Sequence, residues 1–143
     1  MTLTIVGADL LPGLDEQSLQ TLVDALTVRL GLPGTALSLA IVTDQDMQVL
    51  NSRYRGMNSA TDVLSFSGNG DELGDIVIAA GVLSRQASAY GVPLADELRR
   101  LVVHGVLHLS GLDHNDDDPD DPMLALQDRI LADTVGAVRI AHE

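Results

Sequence analysis

The sequence predicts a single α+β domain in which a mixed sheet of about four strands packs with about five helices. Three observations lead to this fold class: a strand, a helix and a second strand begin the chain, two short strands flank a glycine-rich loop, and three helical segments follow. The length of 143 residues suits one domain, and the chain shows neither an internal repeat nor a linker. We therefore expect residues 1–143 to form one compact unit.

The N-terminal elements have the pattern of a parallel crossover. Residues 2–6 and 36–42 are short apolar-rich runs typical of strands. Between them, residues 15–30 carry apolar side chains at helical spacing, and Gly31 and Pro33 end the helix. A strand, a helix and a second strand in this order favour a right-handed crossover between parallel strands.

The middle of the chain is predicted from its caps and glycines. Asp44 is expected to cap a helix that continues through Tyr54. Residues 63–67 and 75–80 are expected to be strands, joined by a mobile loop that includes residues 68–74.

Three helices are predicted for the rest of the chain. They cover residues 82–90, 93–110 and 123–138. Pro93 is well placed for a helix start, because its fixed backbone angle suits the first turn.

The segment from His104 to His114 has the spacing of a tripodal metal site. His104 and His108 are four residues apart, so they project from one face of a helix, one turn apart. Gly111 allows the chain to reverse after the helix and to bring His114 back as a third ligand. Three histidines leave one position of a zinc ion open, as in catalytic sites, whereas structural sites are usually closed and rich in cysteine. This chain has no cysteine, and the pattern therefore predicts one catalytic zinc ion.

A second interpretation of the same histidines is that they are hydrogen-bonded core residues. The positions around them are apolar almost all round, which indicates a helix buried in the domain. The third histidine, Gly111 and the adjacent Asp113 favour the metal site. His142, one residue from the C-terminus, has no such setting and is predicted to be exposed to solvent.

The spacing is that of the metzincin peptidase signature HExxHxxGxxH, with one departure. Position 105 is glycine, whereas the peptidases have there the glutamate that activates water. We therefore expect a zincin-like metal-binding helix whose chemistry needs another base or another substrate, such as a phosphodiester.

The segment also resembles the signature of the bacterial YbeY-type rRNA maturation factors, which is close to HGxLHLxGYDH. Three further stretches occur in the order typical of that family: LNSRYRG at 50–56, TDVLSF at 61–66 and LGDIVI at 73–78. Met123, leading into the closing helix, completes the resemblance, which spans residues 41–131. The chain departs from the pattern at Met57, Ala60 and Leu112, where the family has lysine, proline and tyrosine.

The resemblance implies a function, a cofactor and partners. It implies that residues 1–143 form a metal-dependent endoribonuclease domain, with zinc on His104, His108 and His114. It implies that Arg55, in the Tyr-Arg-Gly segment, stabilises charge on the phosphate, although a surface arginine paired with an aspartate is the alternative. Ribosomal RNA and the ribosome are the implied partners, and maturation of the 3′ end of small-subunit rRNA and ribosome quality control are the implied roles. Asp113 is expected either to orient a ligand histidine or to cap the turn.

The net charge of −13 opposes an RNA partner, because phosphate binding usually needs a basic face. All eight basic residues are arginines, which suit bidentate phosphate contacts. Clustering of five of them near one cleft would reconcile the charge with RNA binding: Arg53, Arg55, Arg85, Arg99 and Arg100. The acidic run after His114 is expected to be a solvated loop turned away from that cleft.

The compartment is predicted from what the sequence lacks. No segment approaches the roughly 20 apolar residues of a membrane span, and no basic residue precedes the first apolar stretch. These features predict a cytoplasmic protein without membrane or DNA partners.

Two other function classes remain open at this point. One is a metzincin-like metallopeptidase, which Gly105 disfavours. The other is a non-catalytic ribosome-assembly factor with structural zinc, for which a fourth protein ligand such as Asp113 would argue.

Overall fold

A computed structural model describes residues 1–33, 36–57, 59–115 and 117–141. Within these residues the chain forms four strands, five helices and a short 3-10 turn at Ala8–Leu10. The elements follow in the order β1 (Thr2–Val6), α1 (Glu16–Leu30), β2 (Ala36–Val42), α2 (Asp44–Arg55), β3 (Val63–Ser67), β4 (Glu72–Ala79), α3 (Ala80–Tyr90), α4 (Leu94–Leu109) and α5 (Pro122–Asp133). The predicted α+β class is confirmed.

The four strands form one mixed sheet in the order β1, β2, β4, β3. β1 pairs with β2 in parallel, and β2 pairs with β4 in parallel, as expected for crossovers that contain a helix. β3 pairs with β4 in antiparallel orientation and forms one edge of the sheet. This edge strand forms one wall of the cleft described below.

Alternate side chains of β4 pack on opposite faces of the sheet. Ile76 and Ile78 belong to the main hydrophobic core, which also includes the apolar faces of α1 and α4. Val77 and Ala79 belong to a smaller cluster on the other face, together with Met47 of α2. A strand buried on both faces reads as a continuous apolar run, as residues 76–80 do.

The predicted cap at Asp44 is wrong, because Asp44 is the first residue of α2 and Thr43 is the cap. The Thr43 hydroxyl accepts a hydrogen bond from the backbone N–H of Asp46 at 3.2 Å. The Asp44 carboxylate instead accepts one at 3.0 Å from the backbone N–H of Val82, in the first turn of α3. Asp44 therefore stabilises the start of a helix 38 residues further along the chain.

Two predicted boundaries also differ from the structure. β4 begins at Glu72 and includes Gly74, which the prediction had assigned to the loop, so the hairpin loop is shorter. The last helix ends at Asp133, and Ile140 then forms an isolated bridge with Leu14. His142, predicted to be exposed, lies outside the described residues.

Within the described part of the chain, no helix combines the length and the apolar character that a membrane crossing requires.

Candidate metal centre and cleft

The first two histidines are positioned by the most deeply buried helix of the domain. Leu98, Leu101 and Leu107 of α4 are at most 1% exposed, so this helix is fixed against the sheet. His104 and His108 share one face of α4, and their Nε2 atoms lie 3.1 Å apart. The helical spacing therefore brings the two rings together, as predicted from the sequence.

The third histidine reaches the same point from the loop after α4. Gly111 has φ of 98°, and the N–H of Leu112 donates to the carbonyl of Leu107, which closes the end of the helix. The reversed chain places His114 Nδ1 3.1 Å from His108 Nε2. Ligating atoms of the three histidines all lie within 4.8 Å of one another.

Hydrogen bonds to the other ring nitrogens set which nitrogen faces the centre. His104 Nδ1–H donates to Gln127 Oε1 at 2.6 Å, and His108 Nδ1–H donates to the Leu112 carbonyl at 3.1 Å. Both Nε2 atoms then carry lone pairs that face each other, which is unfavourable unless a cation lies between them. Nitrogens bound tetrahedrally to zinc at about 2.0–2.1 Å are themselves about 3.3 Å apart. The donor set and its spacing therefore fit a divalent ion such as zinc.

The environment of His104 favours the neutral ring that a metal ligand must have. Burial lowers the pKa of His104 below its usual value, and the nearby charges of His108, His114 and Arg100 lower it further. The hydrogen bond with Gln127 acts in the opposite direction. His104 is therefore neutral at neutral pH and ready to bind an ion.

Asp121 holds the loop that carries His114. Its Oδ2 accepts a hydrogen bond from the backbone N–H of Asn115, and its Oδ1 accepts one from Leu124 in the first turn of α5, both at 2.9 Å. These N–H groups, that of Leu124 first, lower the pKa of Asp121. A single buried carboxylate thus connects the residue after His114 to α5.

Asp113 has the second of its two expected roles. Its Oδ1 accepts the backbone N–H of His114 at 2.9 Å, so it caps the turn. Orientation of the ligand rings comes instead from Gln127 and from the Leu112 carbonyl.

Gly105 is required by the packing of α4 on the sheet. A Cβ atom there would lie 2.9 Å from Ile76 Cδ1, closer than real Cβ contacts, and 3.1 Å from Ile76 Cγ1, so the Ile76 side chain would have to shift. The position that bears the catalytic glutamate in the metzincin signature is therefore packed tightly against Ile76 of the sheet.

A cleft of about 890 Å³ opens beside the three histidines. Its wall includes β3, and Arg55 reaches it from the last turn of α2. The other lining residues are Thr61, Asp62, Val63, Leu64, Ser65, Ser67, Tyr90, Arg100, Leu109, Gly111, Leu112, Asp113, Leu124 and Gln127. Of the acidic run after His114, Asp117, Asp118 and Asp120 are exposed and are not part of this lining.

The five arginines do not gather in the cleft, so the predicted clustering is wrong for three of them. Arg53 lies in a separate groove. Arg85 donates to Asp44 at 2.7 Å, and Arg99 is buried and donates to the carbonyl of Leu131 at 2.6 Å. Only tertiary packing distinguishes an arginine that binds the protein itself from one that faces a ligand.

The two arginines in the cleft have different surroundings. Arg100 donates two hydrogen bonds to Glu97, at 2.6 and 2.8 Å, and lies 3.9 Å from Asp62. The hydrogen-bonded Glu97 raises the pKa of Arg100, and its negative charge offsets the positive charge of the guanidinium. Arg55 is exposed.

Comparison with known proteins identifies the family. The family model described as Endoribonuclease YbeY matches residues 13–135. The chain belongs to the endoribonuclease YbeY family. Its name describes enzymes that hydrolyse RNA phosphodiester bonds.

Similar proteins span most of the chain. The endoribonuclease YbeY of Treponema denticola is 39% identical over 132 residues, which cover 84% of each protein. That of Hydrogenovibrio crunogenus is 43% identical over 110 residues, or 69% of each. The solution structure of TM1509 from Thermotoga maritima superimposes with a TM-score of 0.61 over 91% of this chain and 87% of that one. At 24% identity, the last similarity concerns the fold alone.

Sequence reasoning missed Gln127, which orients His104. A signal for it exists: Gln127 lies four residues after Met123 and three before Ile130, both buried, so it is a polar residue on the apolar face of α5. Such a residue needs a buried partner. The identity of that partner follows only from the packing of α5 against α4.

Proposed function

We propose that this chain is a zinc-dependent endoribonuclease in which one ion binds His104, His108 and His114 and Arg55 contacts the substrate phosphate. The observation that carries the proposal is the convergence of three ring nitrogens, two with their tautomers already set, beside a cleft. The family supports an RNA substrate. We further propose that residues 1–143 act as a single catalytic domain.

Each part of the site has a defined task in phosphodiester hydrolysis. A zinc ion bound there would supply Lewis acidity, polarising a phosphoryl oxygen and lowering the pKa of a water molecule toward about 7. Gln127 and the Leu112 carbonyl hold two rings in the required orientation. Arg55 lines the cleft and is exposed to solvent, and its planar guanidinium fork suits two phosphate oxygens that gain charge during the reaction.

Two observations favour this chemistry over the other function classes. Position 105 is glycine, packed tightly against Ile76, so the chain lacks the glutamate that a metzincin peptidase uses there. Among the described residues, the ligand cluster contains three histidines and no carboxylate, so a coordination position stays open for substrate or water. An open position favours an enzyme over an assembly factor with structural zinc.

The family name supports RNA as the substrate class, and the specific RNA is part of the proposal. We propose ribosomal RNA as the substrate, maturation of the 3′ end of the small-subunit RNA as the reaction, and a part in ribosome quality control. The ribosome is then the cellular partner.

The test is the Arg55→Ala variant of the zinc-loaded protein. Cleavage of an RNA that includes the small-subunit 3′ end should fall about 10- to 1000-fold, because one lost charge contact in the transition state typically costs about 2 to 4 kcal/mol. Zinc content should stay at one ion per chain. Arg53→Ala is the matched control, since Arg53 lies on the same helix but in a separate groove.

Equal loss in both variants would contradict the role of Arg55. Cleavage of casein, and not of RNA, under the same metal conditions would contradict the proposed substrate class.

A further inference from the structure

Tyr90 is an exposed aromatic side chain in the wall of the metal cleft. It is the last residue of α3, and its side chain is 62% exposed. Gly91, with φ of 66°, ends the helix, and the N–H of Val92 donates to the Ala87 carbonyl at 3.0 Å. Because this turn is closed by backbone hydrogen bonds, the tyrosine projects from a fixed position.

Arg100 lies over the ring of Tyr90. Its guanidinium carbon lies 5.9 Å from the ring centroid, within the range of a cation–π contact. Glu97 holds the guanidinium with two hydrogen bonds. Arg100 is thus engaged by protein groups, and these contacts favour its position next to the ring.

Tyr90 also marks the junction of two grooves. A second groove of about 430 Å³ borders the metal cleft, and Tyr90 and Arg100 line both of them. A strand that leaves the metal cleft in this direction passes the exposed ring.

The charge of the protein makes a non-ionic contact valuable. The chain carries a net charge of −13, and the cleft itself contains the carboxylates of Asp62 and Asp113. Affinity from many phosphate contacts is therefore unavailable here. Stacking of a base on an aromatic ring needs no charge, and it requires an unpaired base, since the faces of paired bases are covered inside a duplex.

We propose that Tyr90 is a base-stacking residue that binds one unpaired nucleobase of the substrate at the junction of the two grooves. This inference rests on the proposed function, since it adds a contact residue for the RNA substrate of the same site.

The first experiment compares three variants of the full-length, zinc-loaded protein on a single-stranded oligoribonucleotide. Tyr90→Leu should raise KM about 5- to 100-fold, the range expected for the loss of one stacked base, with kcat changed less than about twofold. Tyr90→Phe should restore the wild-type KM. Tyr54→Leu is the matched control, because Tyr54 is 60% exposed and contacts Phe66 at a centroid distance of 5.2 Å, outside the cleft lining.

The second experiment removes the base instead of the ring. Binding is measured by fluorescence anisotropy with the zinc-free protein in the presence of a chelator, so that the RNA stays intact, and with an oligoribonucleotide that carries an abasic site at one position in turn. One abasic position should weaken wild-type binding by the same factor as Tyr90→Leu, and should have no further effect in that variant. The proposal would be overturned if the abasic site weakened the binding affinity of Tyr90→Leu by the same factor as that of the wild type. A Tyr90→Leu protein with wild-type KM would also overturn it.

The two experiments separate this inference from the proposed function. Cleavage that does not depend on Tyr90 overturns the stacking site and leaves the nuclease intact. Binding that depends on Tyr90, without cleavage, overturns the nuclease and leaves the stacking site. Absence of any RNA binding overturns both.

Discussion

The three histidines of the candidate metal centre come from two regions with different kinds of support. His104 and His108 lie on α4, whose core face is almost completely buried. His114 lies on a loop whose position depends on Gly111, on the cap by Asp113 and on Asp121. The backbone hydrogen bonds of the helix set the spacing of its pair, and Gln127 and the Leu112 carbonyl orient the two rings. The loop position depends on side-chain contacts from residues as far away as Asp121, just before α5.

This difference shows that the helix fixes the spacing of two histidines, whereas the loop allows the third to adjust its position. A helical pair supplies two ligands whose spacing cannot change unless the helix itself unfolds. A loop ligand can move to suit the ion, and its order costs conformational entropy that the surrounding hydrogen bonds reduce. The predictions below test each kind of support in turn.

The largest effect is expected when His108 is removed. Its Nε2 lies 3.1 Å from the nearest nitrogen of both other histidines, so His108→Ala should abolish tight zinc binding. The measurement is zinc content after dialysis, by mass spectrometry. His142→Ala, the substitution of the fourth histidine, is the control and should retain its zinc. Wild-type zinc content in His108→Ala would disprove the assigned ligand set.

A smaller effect is expected at Gln127, which acts through His104. Gln127→Leu removes the acceptor for His104 Nδ1–H and should lower zinc affinity about 10- to 100-fold. Gln127→Glu keeps an acceptor oxygen and should restore most of the affinity. Competition with a chromophoric chelator measures both. Equal weakening in the two variants would mean that Gln127 serves packing only.

The loop support should matter less, because the bound ion itself can hold His114 in place. Asp121→Ala removes the acceptor of the Asn115 and Leu124 N–H groups and should weaken zinc binding about 2- to 10-fold, through the added cost of ordering the loop. Asp120→Ala, at the exposed neighbour, should leave affinity unchanged. If Asp121→Ala lowered zinc affinity more than Gln127→Leu, the support of the loop would matter more than the support of the helical pair, contrary to this prediction.

The smallest effect concerns pH in the metal-free protein. Burial lowers the pKa of His104 in the folded state, so protons bind more tightly to the unfolded chain. The contribution to stability is therefore complete above the unfolded value of about 6.5 and is lost as pH falls from there through the folded value. Melting temperatures between pH 7.5 and 5 should decline less steeply in His104→Gln than in the wild type. Parallel declines would contradict the lowered pKa.

The sequence alone determined the parts of this protein that depend on local spacing. The i, i+4 pair on α4, the reversal at Gly111 and the amphipathic pattern of α1 each follow from backbone geometry, and each is present in the structure. The strand bounds of β1, β2 and β3 agree with the prediction because short apolar runs between turn signals leave few alternatives.

Only the tertiary structure decided which distant groups meet. Asp44 is a plausible cap for its own helix in the sequence, yet the position of α3 gives its carboxylate a partner at Val82. Five arginines are equivalent in the sequence, but Glu97, Asp44 and the Leu131 carbonyl engage three of them. Gln127 and Tyr90 likewise gained their places from the packing of α5 and α3 around α4. Local spacing is fixed by covalent geometry, whereas contacts between elements depend on how the whole core packs, which no single segment encodes.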